Sequence, residues 1–249
     1  MKKLAIYMLT LLSFTAVYAN DNRFENANTL FSEEKYNEAI TAYNEILNSG
    51  VESAEVYYNL GNAFYKSGAL PKAILNYERA LLLAPHDKDI RYNLEMANMQ
   101  ITDKLETVGE FFLITWVNGF KNKTKSDTWA IISIISFAVC ILLIAIFFFS
   151  RGRSLKQLTF AGAIVLLVVA LFAFNFSASQ KNKLTQRTSA IVFEPSVSVK
   201  SSPSAGGKDL FILHEGTKVN ILEELGDWKR IVISDGSEGW MPSTAIEVI

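Results

Sequence analysis

The sequence predicts a multidomain membrane protein: an all-α helical repeat, then two transmembrane helices, then a small all-β barrel. Three observations carry this. Aligning Ala73 with Ala39 and Tyr77 with Tyr43 reveals a 34-residue period. Two long blocks without charge follow, and then Val197, Val199, Val219, Ile221, Ile231 and Ile233 recur at period two between turn-forming clusters. A helical repeat, a pair of membrane spans and a set of short strands are the physical forms those three patterns take. The 249 residues are 50% hydrophobic with a mean hydropathy of +0.19, and the excess lies in the two blocks rather than spread through the chain.

The chain opens with Lys2 and Lys3, runs apolar from Leu4 to Val17 and reaches Ala19 before turning polar. A basic start, a short apolar run and small residues before a polar stretch predict a signal peptide over 1–19, cleaved after Ala19. The apolar run is about 14 residues, short of the ~20 that a span requires. No cysteine follows that point closely enough for a lipid anchor.

Segment 22–104 reads as a repeat domain with a cap helix. Within 54–87, Tyr57, Leu60, Gly61 and Phe64 fall on one helix, Gly68 on a turn, and Ala73, Tyr77 and Ala80 on a second helix that Pro85 stops. Gly61 and Ala73 let antiparallel helices approach, the large residues fill between them, and proline cannot continue a helix. These positions resemble the tetratricopeptide repeat (TPR). The stretch 24–50 is a weaker copy, with Ala27, Leu30, Ala39 and Tyr43 kept, Ile46 at a small-residue position and Asn48-Ser49-Gly50 in place of the terminal proline. Ile90, Leu94, Ala97 and Ile101 at helical spacing supply a solvating cap.

The resemblance implies a concave face built from the first helix of each pair. It would present Asn28, Tyr58, Asn59, Asn62, Tyr65, Lys66 and Tyr92 to partner proteins. Asn28 and Asn59 match two asparagines with which peptide-clamping TPR domains hold a C-terminal carboxylate. Phe24 and Asp89 stand where that clamp has lysines, which argues against carboxylate capture, and asparagine also serves ordinary helix packing at such positions.

Between 105 and 127, Val108, Phe111, Phe112, Leu113, Trp116, Val117 and Phe120 cluster with few charges. An amphipathic helix in the membrane interface and a helix packed on its neighbours both fit. From 128 to 150 no residue is charged, and 23 residues of helix measure about 34 Å, enough to cross the hydrocarbon core. The same holds over 157–176. The six residues 151–156, three of them basic, form a short loop, so both outer ends emerge on one side. The signal peptide places that side outside and the loop in the cytoplasm, giving a bacterial inner-membrane protein with periplasmic domains. Six basic residues on the outer flanks run against the positive-inside count, but they adjoin long translocated segments where that count weighs less.

Residues 177–189 read as a polar linker, and 190–249 as the barrel. Val197-Ser-Val-Lys-Ser-Ser-Pro203, Leu213-His-Glu-Gly-Thr-Lys-Val219, Gly226-Asp-Trp228-Lys and Gly239-Trp240-Met241-Pro242 resemble the bacterial SH3-like domain in order and spacing. Core is the expected place for Trp240 and for Trp228, the latter also being the candidate contact residue of this domain. Taken over the whole chain, signal, TPR pair, two-helix hairpin and SH3-like tail are similar in order to the TPR/SH3 proteins of the Bacteroides aerotolerance (Bat) family. That resemblance implies a membrane system with von Willebrand factor A-domain Bat proteins and a MoxR-type ATPase, linked to stress or oxygen tolerance.

Charge excludes nucleic acid as the expected partner. Segment 20–102 holds 12 acidic and 7 basic residues and 190–249 holds 9 and 5, where phosphate binding asks for a basic stripe. No catalytic site, metal or cofactor is expected. His86 and His214 sit in apparent surface turns without a second ligand at metal spacing, Cys140 lies inside an apolar block, and no phosphate loop or nucleophile elbow occurs. A scaffold for protein partners is the leading expectation; a peptidoglycan receptor using the SH3-like domain is the alternative.

Overall fold

The computed structural model describes residues 22–104 and 112–249. The expected signal peptide 1–19 and the first part of the juxtamembrane segment, 105–111, lie outside the described residues. The chain divides into two compact units. One joins the helical repeat to the C-terminal sheet, and the other holds the apolar hairpin with the helix leading into it.

In the first unit, α1 (22–32) pairs with α2 (Tyr36–Asn48), and α3 (Ala54–Lys66) with α4 (Leu70–Leu83); α5 (Lys88–Asn98) closes the array. The buried set Ala27, Ala39, Tyr43, Ile46, Val56, Leu60 and Ala63 recurs at helical spacing, so each helix turns one apolar stripe inward. Pro71 sits in the first turn of α4, where a missing N–H costs nothing. The Asp87 carboxylate caps α5, accepting from the amides of Asp89 (2.9 Å) and Ile90 (3.2 Å).

The sheet has seven antiparallel strands: β1 Ser189–Val192, β2 Ser196–Lys200, β3 Asp209–His214, β4 Lys218–Leu225, β5 Trp228–Val232, β6 Glu238–Pro242 and β7 Ile246–Val248. Their order is β3-β2-β6-β5-β4-β1-β7. Val197, Val199, Leu213, Val219, Ile231 and Met241 form its core, the alternating positions of the sequence pattern. Trp228 and Trp240 differ from expectation. Each is half-buried and lies an odd number of residues from Ile231 or Met241, on the face away from that core.

Repeat and sheet are tied together inside this unit. Asp103, just after the cap helix, accepts from the His214 backbone amide, the His214 ring Nδ1 and the Thr217 hydroxyl, each at 2.7 Å. His214 is therefore an internal contact rather than a free surface turn. Beside it, Gly216 has φ +87°, and a Cβ there would stand 2.6 Å from Cγ2 of Ile101. The close approach thus requires glycine for both backbone and space. Lys218 pairs with Glu78 at 2.6 Å, and Arg79 reaches Glu247 at 3.1 Å and the Val248 carbonyl at 2.8 Å.

In the second unit, α6 (Phe112–Lys121) precedes α7 (Ser126–Phe149) and α8 (Arg153–Gln186). Both α7 and α8 are long and apolar enough to cross a membrane, and only 11% and 22% of their most apolar windows are buried within the protein. The small residues of each helix meet: Ser133 Oγ donates to the Ala170 carbonyl at 2.9 Å, and Cys140 Sγ lies 3.2 Å from that of Ala163. Small side chains let the two backbones come this close, which is how helices associate when hydrophobicity supplies little drive.

The expected linker 177–189 is largely helix, since α8 continues to Gln186 and β1 begins at Ser189. Its polar residues hold α6 and the start of α7. Gln180 Nε2 donates to the carbonyls of Lys121 and Thr124, and Ser126 Oγ donates to that of Ser177. Phe120 of α6 packs edge-on against Phe176 and tilted against Trp129, while Phe112 and Trp116 are each 69% exposed. Helix α6 thus packs on its neighbours and keeps an apolar face outward.

Candidate partner-binding surface

The inner face of the repeat is organised by a hydrogen-bond motif that itself repeats. Asn28 Oδ1 accepts from the Tyr43 hydroxyl (2.6 Å) and from Asn59 Nδ2 (3.0 Å). One period later, Asn62 Oδ1 accepts from the Tyr77 hydroxyl (2.8 Å) and Asn93 Nδ2 (2.8 Å). Each asparagine therefore ties the second helix of its own pair to the first helix of the next. Both tyrosines are buried, which pushes the Tyr43 phenol up to about 12 and the Tyr77 phenol higher, so both remain donors.

This changes the role of the predicted face. Asn28 and Asn62 commit their side-chain carbonyls and Asn59 its amide to repeat packing, and Tyr58 accepts from Asn93 at 3.0 Å. Tyr65 bonds Gln100 through its hydroxyl. Lys66 is exposed, and Tyr92 is 62% exposed. Of the predicted residues, these two are the most available to a partner.

Beside Lys66 lies a recess of about 320 Å³ lined by Phe31, Asn62, Tyr65, Lys66, Tyr77, Asn93 and Met96, with Tyr92 exposed on the same helix as Asn93 and Met96. Asn93, Met96 and Gln100 belong to the cap helix and its end, which sequence reasoning treated as a solvating cover. The signal was present: Asn93 follows Asn62 by the same 31 residues that separate Asn59 from Asn28. Chemically the recess combines aromatic and thioether walls with amides and one ammonium, which suits an extended peptide or a helix end better than a small charged metabolite.

On the sheet, Trp228 lies opposite Leu225 of β4 and Pro242 of β6. Arg230, on the same face, pairs with Glu223 at 3.3 Å and Glu238 at 3.8 Å. Among the described residues no group of His, Cys, Asp and Glu is placed to hold a metal ion.

Comparison with known families agrees with these two modules. Models described as tetratricopeptide repeat and TPR repeat match residues 54–87 and 27–68, and one described as bacterial SH3 domain matches 195–247. The chain carries TPR repeats and a bacterial SH3 domain. A stretch of 65 residues, 26% of the chain, is 35% identical to the Hsp70-Hsp90 organizing protein of Triticum aestivum and spans 11% of that protein.

Proposed function

We propose that this chain is a membrane-anchored adaptor that docks protein partners on its TPR face, in a Bat-type membrane complex concerned with stress or oxygen tolerance. The observation that carries the reading is the aromatic and amide recess lined by Tyr65, Lys66, Tyr77 and Asn93, on a repeat whose asparagines also take part in packing. Similarity to a protein named for organising Hsp70 and Hsp90 supports a protein ligand. The missing clamp lysines at Phe24 and Asp89 favour a side-chain-reading groove over carboxylate capture. Anchoring is supported by two apolar helices whose surfaces the protein leaves largely uncovered. A bilayer would remove that apolar surface from water, a gain of ~25 cal/mol per Å².

In this reading the von Willebrand factor A-domain and MoxR-type components are the partners, the membrane is the bacterial inner membrane, and both folded domains face the periplasm. Lys66→Glu combined with Tyr92→Ala should reduce partner co-purification from solubilised membranes about tenfold or more, the scale of removing one hot-spot aromatic and reversing a charge. Unchanged recovery with intact helical content contradicts the groove assignment. The sidedness has its own check. Alkaline phosphatase fused after residue 104 or 249 should be active and one fused within 151–156 inactive, and the reverse pattern would invert the topology.

A peptidoglycan-binding role is the second reading, favoured by the bacterial SH3 match over 195–247 and by the outward Trp228. Co-sedimentation with purified cell wall, lost on Trp228→Ala, is its signature.

A further inference from the structure

Along α8, facing α6, runs a groove of about 610 Å³ with Val117, Val168, Leu171, Phe172 and Phe176 as its apolar walls. It turns polar at Asn175 and ends at Ser179 and Lys121. From Val168 to Ser179 is eleven helical steps, about 16 Å, which is roughly the hydrocarbon depth of one leaflet. An acyl chain lying in it would bring its ester and phosphate level with Lys121.

That lysine is an unusual end to an apolar groove. It is only 7% exposed, and its Nζ donates to Ser179 Oγ at 3.2 Å, with no carboxylate paired to it among the described residues. Its position is fixed, because its carbonyl accepts from Trp129 Nε1 and Gln180 Nε2, both at 2.9 Å. Burial, and secondarily the Lys183 charge, holds its ammonium below the ordinary lysine range. Lys123 and Lys125 follow it in sequence and Lys181 and Lys183 follow Ser179 on α8, with Asp127 the acidic residue of these described stretches. A buried cation with one neutral partner and a cationic surround is completed by an anion.

We propose that this groove is a binding site for one anionic phospholipid of the phosphatidylglycerol class, its acyl chain against Val168, Phe172 and Phe176 and its phosphate on Lys121. The site goes beyond the adaptor reading and depends only on the hairpin lying in a bilayer.

The test uses the full chain in nanodiscs of mixed phosphatidylglycerol and phosphatidylcholine, with retained lipid identified by native mass spectrometry after release into detergent. The wild type should retain one phosphatidylglycerol with roughly fivefold preference, the order of one lysine contact to an anionic lipid. Lys121→Gln should abolish the preference, and Val168→Trp, which fills the groove but keeps the lysine, should abolish retention. Equal retention of both lipids by the wild type, or an undiminished preference in Lys121→Gln, overturns the site. If Lys121→Gln loses helical content, Val168→Trp decides: continued retention by that variant overturns the proposal. Displacement of the lipid by millimolar inorganic phosphate overturns it too, since that would make the site one for free anions. Flotation of the same preparation on liposomes separates the two claims. A chain that fails to float overturns the membrane reading and this site with it, whereas one that floats without lipid preference overturns the site alone.

Discussion

Gly61→Val should destabilise the helical repeat enough to expose its backbone to exchange. A Cβ at that position would stand 2.7 Å from both Cδ1 and Cε1 of Tyr77 and 3.3 Å from the Ala73 carbonyl. The Tyr77 ring cannot swing aside freely, since it is 1% exposed and its hydroxyl is held by Asn62. Overpacking of this kind costs about 1–3 kcal/mol or more, and displacing the Tyr77–Asn62 bond adds about 1 kcal/mol. An array this short has little reserve, because each repeat is supported only by its neighbours. The direction is diagnostic: glycine within a helix normally gains up to ~1 kcal/mol on replacement by alanine. Hydrogen exchange over 54–83 in the full chain should therefore quicken for Gly61→Ala and quicken further for Gly61→Val. Slower exchange in either would show that the helices have room.

A second large effect is expected from Asp103→Ala, which should loosen the β3–β4 turn of the sheet from the repeat while leaving each folded. One carboxylate holds three donors from the β3–β4 turn, and hydrogen bonds to a charged group contribute about 1.5–3 kcal/mol each before non-additivity. The Lys218–Glu78 and Arg79–Glu247 pairs have exposed partners and contribute at most about 1 kcal/mol apiece. The Arg79 bond to the Val248 carbonyl, Ile101 and Ile74 beside Gly216, and the contact of α4 with β1 remain in the variant, so the release is expected to be local to the β3–β4 turn. Hydrogen exchange or limited proteolysis should report new exposure at 101–104 and 214–217, with the strand amides of β2, β5 and β6 still protected. Unchanged protection at the turn would show that the docking does not depend on Asp103.

The pH dependence of that docking follows from the same groups. Burial pushes the Asp103 carboxyl up, but the Thr217 hydroxyl and the His214 amide and ring outweigh it and hold the carboxyl below its ordinary value of 3.8. A depressed folded-state value means the contribution is fully present above the unfolded carboxylate value and lost as pH falls through the folded one. Titration of Asp103 therefore leaves the docked form intact at mildly acidic pH and weakens it only below about 3.8.

What the sequence revealed and what it hid have physical causes. The repeat was legible because Gly61, Ala73, Tyr77 and Pro85 each answer a steric demand that few other residues meet, at a fixed period. The sheet core was legible from alternation. Trp228 and Trp240 were misplaced because residue type was weighed above strand parity, although an odd separation from Ile231 and Met241 already put them on the other face. The end of α8 was hidden because 177–186 lacks apolar periodicity; its helix is sustained by polar contacts to Lys121, Thr124 and Ser126 instead. The Asp103–His214 contact was hidden for a different reason. It joins residues 111 positions apart, and neither neighbourhood alone carries a sign of the other.

The asparagines of the inner face were open to two readings, ordinary helix packing and partner contact, and their hydrogen bonds supply the first. Asn28, Asn59 and Asn62 do line that face, yet their hydrogen bonds run to Tyr43, Tyr77 and Asn93. Of the residues named for that face, Lys66 and Tyr92 are the exposed ones.

In-cell photo-crosslinking from the concave face tests this account most directly. A benzoylphenylalanine in place of Tyr92 should yield a discrete protein adduct in the membrane fraction, and the same probe at Thr41, exposed on α2 opposite that helix's buried stripe, should yield far less. Adducts of equal strength at both positions, or none at Tyr92 in cells where the chain is folded and membrane-bound, would contradict a TPR face that docks proteins.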